Sequence, residues 1–224
     1  MLRRLMFLVA VSALLVLPSA ALAQQGGGPD AGTATGDSES HLFIGATARA
    51  LPAGHGYFSV RELGLGAFQV GVTDRFSIGA GTVLWYPKAV VLTPKYQVYR
   101  GPTVSAAVGV AHLTRFGKEG FGVAYGVVTK EFENGSLTSG VGWLYARAGH
   151  DSGGTAVAMI GGERRISSRV DLVTENYVFV RGGALTSAGV RVKKGRFTSE
   201  FGLMAPIFEG DFIVGPIINL GYKF

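Results

Sequence analysis

The stretch "GPIINLGYKF" (residues 215–224) alternates from Ile218 between apolar and polar or small side chains up to its final residue. Its apolar and aromatic positions in the second half are Ile218, Leu220, Tyr222 and Phe224. Because successive side chains of a strand point to opposite sides, this pattern predicts a strand with one apolar face. In water, an exposed aromatic strand of this kind would promote pairing with other chains. The stretch therefore predicts a sheet whose apolar face lies in an apolar environment.

The beginning of the chain has the layout of a secretory signal peptide. Arg3 and Arg4 precede a run of apolar residues over 5–17, and small side chains follow before position 24. This order of charged, apolar and small residues predicts export, with residues 1–23 removed after Ala23. A membrane anchor is the alternative, but about 13 apolar residues fall short of the roughly 20 that a spanning helix needs. The absence of cysteine excludes structural disulfides and lipid attachment at a processed cysteine.

The composition of the chain favours a β-barrel. The sequence is 47% hydrophobic and 16% charged, but no stretch after the signal peptide is apolar for long enough to span a bilayer as a helix. A bilayer core admits only helices and closed barrels, because all backbone polar groups must be paired internally. The sequence therefore predicts a transmembrane barrel. A secreted β-sandwich is the alternative, and it would have to explain why both faces of so many strands avoid charge.

Evenly spaced turn signals predict the number of strands. Residues 24–40 are rich in Gly, Ser, Thr and Asp without periodicity, which predicts a flexible periplasmic leader. Beyond it, five turn signals are centred on Asp74, Gly101, Gly135, Ser168 and Gly195. Each interval between them contains a second interruption, and "LPAGHG" (51–56) interrupts the residues before the first signal. We therefore predict an all-β, antiparallel up-and-down barrel over residues 41–224 with about twelve strands, or ten as the alternative, and short loops at both ends.

The alternation within the strands assigns side chains to an outer and an inner face. In "FGVAYGV" (121–127) the predicted outward positions are Phe121, Val123, Tyr125 and Val127. The polar exceptions on the outer face are Glu62, His112 and Asn176. Because a β-bulge changes the facing of a strand, we expect bulges near residues 60–68 and 174–176.

The ending "INLGYKF" (218–224) resembles the C-terminal signal by which outer-membrane barrels are recognised by their assembly machinery. Together with "GVTDRFSIGAG", "LTPKYQV" and "VTENYVF", it is similar to small outer-membrane β-barrel proteins of Gram-negative bacteria. The likeness spans nearly all of the chain after the signal peptide. It implies an outer-membrane location, contact with outer-membrane lipids and recognition by the barrel-assembly machinery. It assigns the assembly signal to Ile218, Leu220, Tyr222 and Phe224, and it implies no chemistry.

Charged residues on the predicted inner face suggest a pore. The predicted pore-lining bases are Arg49, Arg61, Lys95, Lys130, Arg165, Arg191, Lys193 and Lys223. The predicted pore-lining acids are Glu163, Asp171, Glu175 and Glu200. This basic excess predicts a narrow passive channel that favours small anionic solutes. The alternative is a structural or surface-interaction barrel with a plugged lumen, in which the charges pair because an unpaired buried charge is costly.

A lipid-modifying enzyme is the third hypothesis. "HDSGG" places His150 and Ser152 on one face of an extended segment, a spacing similar to outer-membrane lipid A deacylases, and Glu163 would have to orient the base. The two glycines and Asp151 are more typical of an exposed loop, so we expect no enzyme. The histidines lack a metal-ligand spacing, and we expect no metal, cofactor or nucleic-acid partner. The sequence leaves open whether residues 24–40 enter the lumen.

Overall fold

The described part of the chain is built from β-strands. A computed structural model describes residues 40–62, 64–115, 119–148, 151–208 and 211–224, so the predicted signal peptide and the leader up to residue 39 lie outside the described residues. The strands are β1 (Gly56–Arg61), β2 (Leu65–Gly71), β3 (Phe76–Val83), β4 (Tyr86–Leu92), β5 (Lys95–Arg100), β6 (Val104–Arg115), β7 (Glu119–Phe132), β8 (Gly135–Ala148), β9 (Asp151–Ser167), β10 (Val170–Phe179), β11 (Ala184–Lys194), β12 (Phe197–Phe208), β13 (Asp211–Phe212) and β14 (Gly215–Lys223). No helix within these ranges is long and apolar enough to cross a membrane.

All strands join one closed antiparallel sheet. β1 pairs with both β2 and β14, so the first and last strands close the wall. β4 and β5 both lie between β3 and β6 and form one wall strand, which is interrupted at Pro94 because its nitrogen has no hydrogen to donate. β13 is a two-residue segment that pairs with β12 ahead of β14. The wall therefore has twelve strands, which confirms the predicted up-and-down barrel, its strand number and its short connections.

The five predicted turn signals all lie at one end of the barrel, which also holds Phe224 and which we call the terminal end. They connect β2 to β3, β5 to β6, β7 to β8, β9 to β10 and β11 to β12. In the last of these turns Gly195 has a φ of 59°, in the left-handed region that glycine adopts without steric strain. The turns were predictable because tight connections between antiparallel strands select such residues locally.

The wall begins at Gly56, later than the sequence predicted. Residues 40–50, which we call the luminal segment, lie inside the barrel, so the prediction of a wall strand before "LPAGHG" is wrong. The segment closes on itself, because the Thr47 amide donates to the Ser40 carbonyl at 3.0 Å and the Leu42 amide to the Gly45 carbonyl at 2.9 Å. Both wall strands of the first interval come from residues 56–71.

The polar exceptions on the outer face do not arise from bulges at the expected places. Glu62 lies in the turn between β1 and β2 with a φ of 46°, so the region 60–68 contains a turn. β10 pairs with both neighbours without a register shift at Asn176, and the expected bulge at 174–176 is wrong. His112 also lies on the outer face, with its Nδ1 2.9 Å from the Tyr145 Oη. The outward-facing His112 and Asn176 each have a polar partner, which is Tyr145 for His112 and Thr186 for Asn176.

The facing of β7 is the reverse of the prediction. Phe121, Val123 and Val127 point into the barrel and are buried. The interior is apolar at this level, because these side chains join a core cluster with residues of the luminal segment and of β8–β11. The members from the luminal segment are Leu42, Phe43, Ile44 and Ala48. Alternation of apolar and small residues marks two faces of a strand, but the filling of the lumen decides which face points inward.

Candidate functional site

The lumen of the barrel is occupied by the luminal segment. Leu42 and Phe43 are at most 1% exposed, although they belong to no strand. Leu42 packs directly over Gly161 of β9, where a Cβ would lie 2.5 Å from the Leu42 Cδ1. A peptide inside a barrel brings backbone N–H and C=O groups that need partners, because a buried backbone polar group without one destabilises the fold. The partners come from the charged residues of the wall.

Glu175 binds the amide side of the luminal segment. Its carboxylate accepts hydrogen bonds from the backbone N–H groups of Phe43 at 2.8 Å, Ile44 at 2.9 Å and Gly45 at 2.6 Å. The Tyr177 hydroxyl donates to the same carboxylate. A Cβ at position 45 would lie 2.5 Å from the Tyr177 Oη and 2.8 Å from the Glu175 Oε1, so the close approach requires glycine. Charge-assisted bonds of this kind are stronger than neutral ones.

Three basic side chains bind the carbonyl side of the same segment. The Arg191 Nη2 donates to the carbonyls of His41 at 3.0 Å and Leu42 at 2.9 Å. The Lys95 Nζ donates to the carbonyls of Ser40 at 3.0 Å, Thr47 at 3.3 Å and Arg49 at 2.6 Å. The remaining contact runs from the Arg61 Nη1 to the Phe43 carbonyl at 3.3 Å. The sign of each wall charge therefore matches the backbone group that it binds.

A chain of ion pairs ties the luminal segment to the wall. Arg191 binds Glu200 at 2.7 Å and Glu163 at 2.8 Å. Arg49, on the segment, binds the same Glu163 at 2.8 Å and Glu131 at 2.5 Å. Three carboxylates thus hold two guanidinium groups, one from the wall and one from the segment. Because both arginines are almost fully buried, these pairs are shielded from competing water.

His41 extends this network as a neutral side chain. Its Nε2 lies 3.4 Å from the Glu200 Oε1. Burial lowers the pKa of His41 well below its ordinary value, and this effect exceeds the opposite effect of Glu200. The imidazole is therefore neutral near pH 7, and its contact with Glu200 is a hydrogen bond rather than an ion pair. In the described part of the molecule its Nδ1 is buried without a hydrogen-bond partner.

The structure brings most of the predicted pore-lining residues together. The buried ones on the wall are Arg61, Lys95, Arg191, Lys193, Lys223, Asp171, Glu175 and Glu200, and the Glu163 side chain is also buried. Arg165 is half-buried near the terminal end of β9. Arg49 lies inside the barrel, but on the luminal segment rather than on the wall. Lys193 pairs with Asp171 at 2.9 Å.

Lys130 is the exception, because it lies on the outer face of the barrel. Its ammonium sits 5.4 Å from the centre of the Phe132 ring, and both side chains are exposed. The residue that points inward here is its neighbour Glu131, which the sequence reasoning missed. The buried Thr129, two positions earlier, carries the signal, because residues 129 and 131 share a face. Six of the eight predicted bases lie on the inner face of the wall and Arg49 lies on the luminal segment, while the acids on the wall rise from four to five. On the wall itself the predicted basic excess therefore falls to one charge.

The residues of the enzyme hypothesis are far apart along one strand. Ser152 is exposed at the start of β9, whereas Glu163 lies eleven positions further along and binds Arg49 and Arg191. At about 3.3 Å per residue this separation is roughly 36 Å, so Glu163 is not in reach of a base next to Ser152. His150 lies outside the described residues. Within the described ranges, no group of three His, Cys, Asp or Glu residues is arranged to hold a metal ion.

No model of a known protein family matches the chain, and no curated protein matches it either. The contacts between the luminal segment and the wall are therefore the observation that indicates a function. It is a set of complementary contacts between a peptide and the wall around it, and its chemistry is that of binding. What it binds is the chain's own luminal segment.

Replacing Arg191 with methionine should destabilise the barrel strongly. Arg191 is fully buried and holds two carboxylates and two carbonyls, so its loss leaves Glu163 and Glu200 without this cation. Breaking a buried pair on one side costs about 3–5 kcal/mol. We expect a fall of that size in the free energy of unfolding in urea, with the exposed Lys194→Met as the control. Adding Glu200→Gln to Arg191→Met should recover part of the lost stability, because it removes one of the unpaired carboxylates. An unchanged unfolding midpoint for Arg191→Met would show that the ion pairs of Arg191 do not stabilise the barrel.

Proposed function

We propose that the protein is an outer-membrane β-barrel that is closed at rest by its own luminal segment. The observation that carries the proposal is the complementary binding of residues 40–50 by the wall. Glu175 accepts three backbone N–H groups, while Arg191 and Lys95 together bind five backbone carbonyls. Solutes would have to displace this segment in order to pass. The role proposed first is therefore that of a non-enzymatic structural or surface-interaction barrel.

The outer surface supports a membrane location. Large apolar side chains on the wall are exposed there, among them Val141 at 70%, Phe197 at 61% and Leu203 at 59%. In water such a surface would promote aggregation, whereas in a bilayer it is the face that a barrel needs. The predicted signal peptide and the likeness of residues 218–224 to an assembly signal support a location in the outer membrane of a Gram-negative bacterium. The barrel-assembly machinery and outer-membrane lipids are the partners that this location implies.

A channel that opens when the luminal segment withdraws is the second candidate. One observation favours it: besides the apolar packing of its side chains, the segment is held through hydrogen bonds and ion pairs, which water and ions would replace after withdrawal. The exposed path would contain Arg61, Lys95 and Arg191 together with Glu163, Glu175 and Glu200. Because these charges nearly balance, the preference for small anionic solutes would be weaker than the sequence predicted.

Single-channel recording in a planar bilayer tests both candidates. The chain from residue 24 should be silent, whereas a variant that lacks residues 24–49 should conduct. A variant that lacks only residues 24–39 is the matched control and should stay silent, because it retains the luminal segment. Folding of each variant is checked by its slower electrophoretic migration after boiling.

Three outcomes of these recordings decide between the candidates. Stable anion-selective current through the chain from residue 24 would overturn the closed barrel and favour the passive channel. If only the variant without residues 24–49 conducts, Arg191→Glu with Lys193→Glu in that background should shift its reversal potential toward cations. If that folded variant is also silent, the channel candidate is wrong and the structural role stands.

A further inference from the structure

The outer face of the barrel has a groove near the terminal end, across β9, β10 and β11. It has a volume of about 610 Å³. Its outward-facing lining consists of Gly162, Arg164, Leu172, Thr174, Ala188 and Val190. The groove arises because Gly162, Thr174 and Ala188 form one row across the three strands, between larger side chains on either side. The floor of the groove is small and mostly apolar, and a cation lies at one side of it.

Basic residues gather at the end of this groove. Arg164 lines it and is exposed, in register with Leu172. The adjoining turns add the exposed Arg169, Lys194 and Arg196. The two turns are neighbours, because the Lys193 amide donates to the Arg169 carbonyl at 2.8 Å.

Two acids that are adjacent to these cations along the strands point away from them. Glu163 is the neighbour of Arg164, but it points inward and binds Arg49 and Arg191. Asp171 is the acid of the β9–β10 turn region, and it also points inward, where it binds Lys193. Glu133 in the β7–β8 turn is exposed and lies near Arg164, because Gly135 pairs with Arg164. The terminal end of the groove therefore presents four exposed positive charges and one exposed acid to a ligand outside the barrel.

Polar side chains continue beyond the small row of the groove. The Thr186 hydroxyl donates to the Asn176 Oδ1 at 2.5 Å, so these two residues satisfy each other in part. The Asn176 Nδ2 makes only long contacts of 3.4 Å to the Ile160 carbonyl and the Thr174 hydroxyl. An amide nitrogen carries two donors, and both of those of Asn176 are engaged only in these long contacts. Polar groups on a membrane-facing surface destabilise the inserted protein, so they indicate a functional site more often than a packing role.

We infer that this groove binds one anionic glycerophospholipid. The phosphate lies at Arg164, the turn residues Arg169, Lys194 and Arg196 add positive charge on the terminal side of it, and an acyl chain lies in the groove along Leu172, Val190 and the small row. The inference rests on the proposed membrane location. Basic pockets beside an apolar surface recognise anionic headgroups in this way, and guanidinium groups bind phosphate oxygens in two-pronged geometry.

A second copy of the chain fits the groove less well than a lipid does. A two-fold contact uses the same patch on both copies, so the four cations would face their own equivalents. Like charges brought together across an interface oppose association. An anionic lipid has the complementary charge, and its acyl chain covers the apolar floor without a matching protein surface.

Lipid retention measured by native mass spectrometry tests the inference. The chain from residue 24 is equilibrated in detergent with equal amounts of dioleoylphosphatidylglycerol and dioleoylphosphatidylethanolamine, which have the same acyl chains. We expect one retained phosphatidylglycerol per barrel. Arg164→Ala with Arg169→Ala should lower that retention about tenfold, the effect of losing charge-assisted bonds to one phosphate. Arg75→Ala with Arg181→Ala is the matched control, because both arginines are exposed in other turns.

A second pair of variants tests the groove rather than the charge. Ala188→Phe fills the groove and should also lower retention, whereas Ala158→Phe places the same ring on the outer face of β9 away from the groove and should not. Equal retention of the two lipids, or equal losses in test and control variants, would overturn the inference. So would a dimer without lipid that Ala188→Phe dissociates. Lipid retention is measured in detergent and does not depend on the bilayer recordings. If the proposal of a closed barrel is wrong, the retention experiment still tests the lipid site.

Discussion

Glu175→Ala should release the luminal segment and make the barrel conduct. The substitution leaves the backbone N–H groups of Phe43, Ile44 and Gly45 without their acceptor, while the backbone hydrogen bonds between the wall strands remain. Of the wall's side-chain bonds it removes the one that the Tyr177 hydroxyl donates to Glu175. Each buried donor that loses its partner costs about 1–3 kcal/mol. The conformation in which the luminal segment lies inside the barrel is therefore destabilised by several kcal/mol relative to the released one. Glu175→Gln keeps one carbonyl acceptor and should have a smaller effect. The same bilayer recording that finds the parent silent should detect current in Glu175→Ala.

Release can also be followed by thiol chemistry, because the chain contains no cysteine. Ala48 is fully buried, and its amide donates to the Thr129 hydroxyl at 2.8 Å. In an Ala48→Cys background the thiol should be protected from a charged methanethiosulfonate reagent. Adding Glu175→Ala should raise the labelling rate about 100-fold or more, since each 1.4 kcal/mol corresponds to a factor of ten. The exposed Glu133→Ala is the control, and equal protection in both variants would mean that Glu175 does not hold the segment.

Deletion of Phe224 should impair assembly of the barrel. Its ring packs 5.2 Å from Phe58 and stacks 5.7 Å from Phe68, and its backbone exchanges hydrogen bonds with Gly56 at 3.0 and 3.3 Å. These contacts lie at the seam where β14 meets β1. The loss of the ring contacts and two end bonds should lower the free energy of unfolding by about 2–3 kcal/mol. Unfolding of detergent-refolded protein in urea measures this loss.

The assembly-signal hypothesis predicts more than this loss of stability. The amount of the Phe224-deleted chain in the outer membrane should fall further than its unfolding free energy accounts for, because recognition in the cell would fail as well. Phe132→Ala removes an aromatic ring that is 53% exposed on another strand, and it serves as the control. Normal outer-membrane levels of the deleted chain would count against residue 224 as part of a signal.

Most of the wall was predictable because its determinants are local. The turn residues around Asp74, Gly101 and Gly195 mark hairpins wherever they occur, so the count of twelve strands follows from their spacing. In β14 the alternation also predicted the facing correctly, since Leu220 and Tyr222 are exposed outside and Lys223 is buried inside. Period-two patterns are a property of the strand itself.

The candidate site was predictable only in part. The sequence placed Arg191, Glu175 and Glu200 on the inner face, but it had no means of showing that their partner is the backbone of residues 40–50. The apolar pattern of the luminal segment resembles that of a short strand, so the prediction from the local sequence pattern assigned it to the wall. Contacts such as Glu175 to Phe43 join residues 132 positions apart, and no local pattern encodes them.

The sequence by itself determined the number of strands, the position of most of them, the five turns at the terminal end and the two-sided character of each strand, because neighbouring residues set these properties. The tertiary structure alone decided which side of β7 faces inward and what fills the barrel. The physical reason is that a buried polar group needs a hydrogen-bond partner and a buried apolar ring needs apolar neighbours. Here the luminal segment, which is distant in sequence from the wall strands, provides both. Once Leu42 and Phe43 occupy the lumen, Phe121 and Val123 are stabilised by turning toward them, and Lys130 is turned outward.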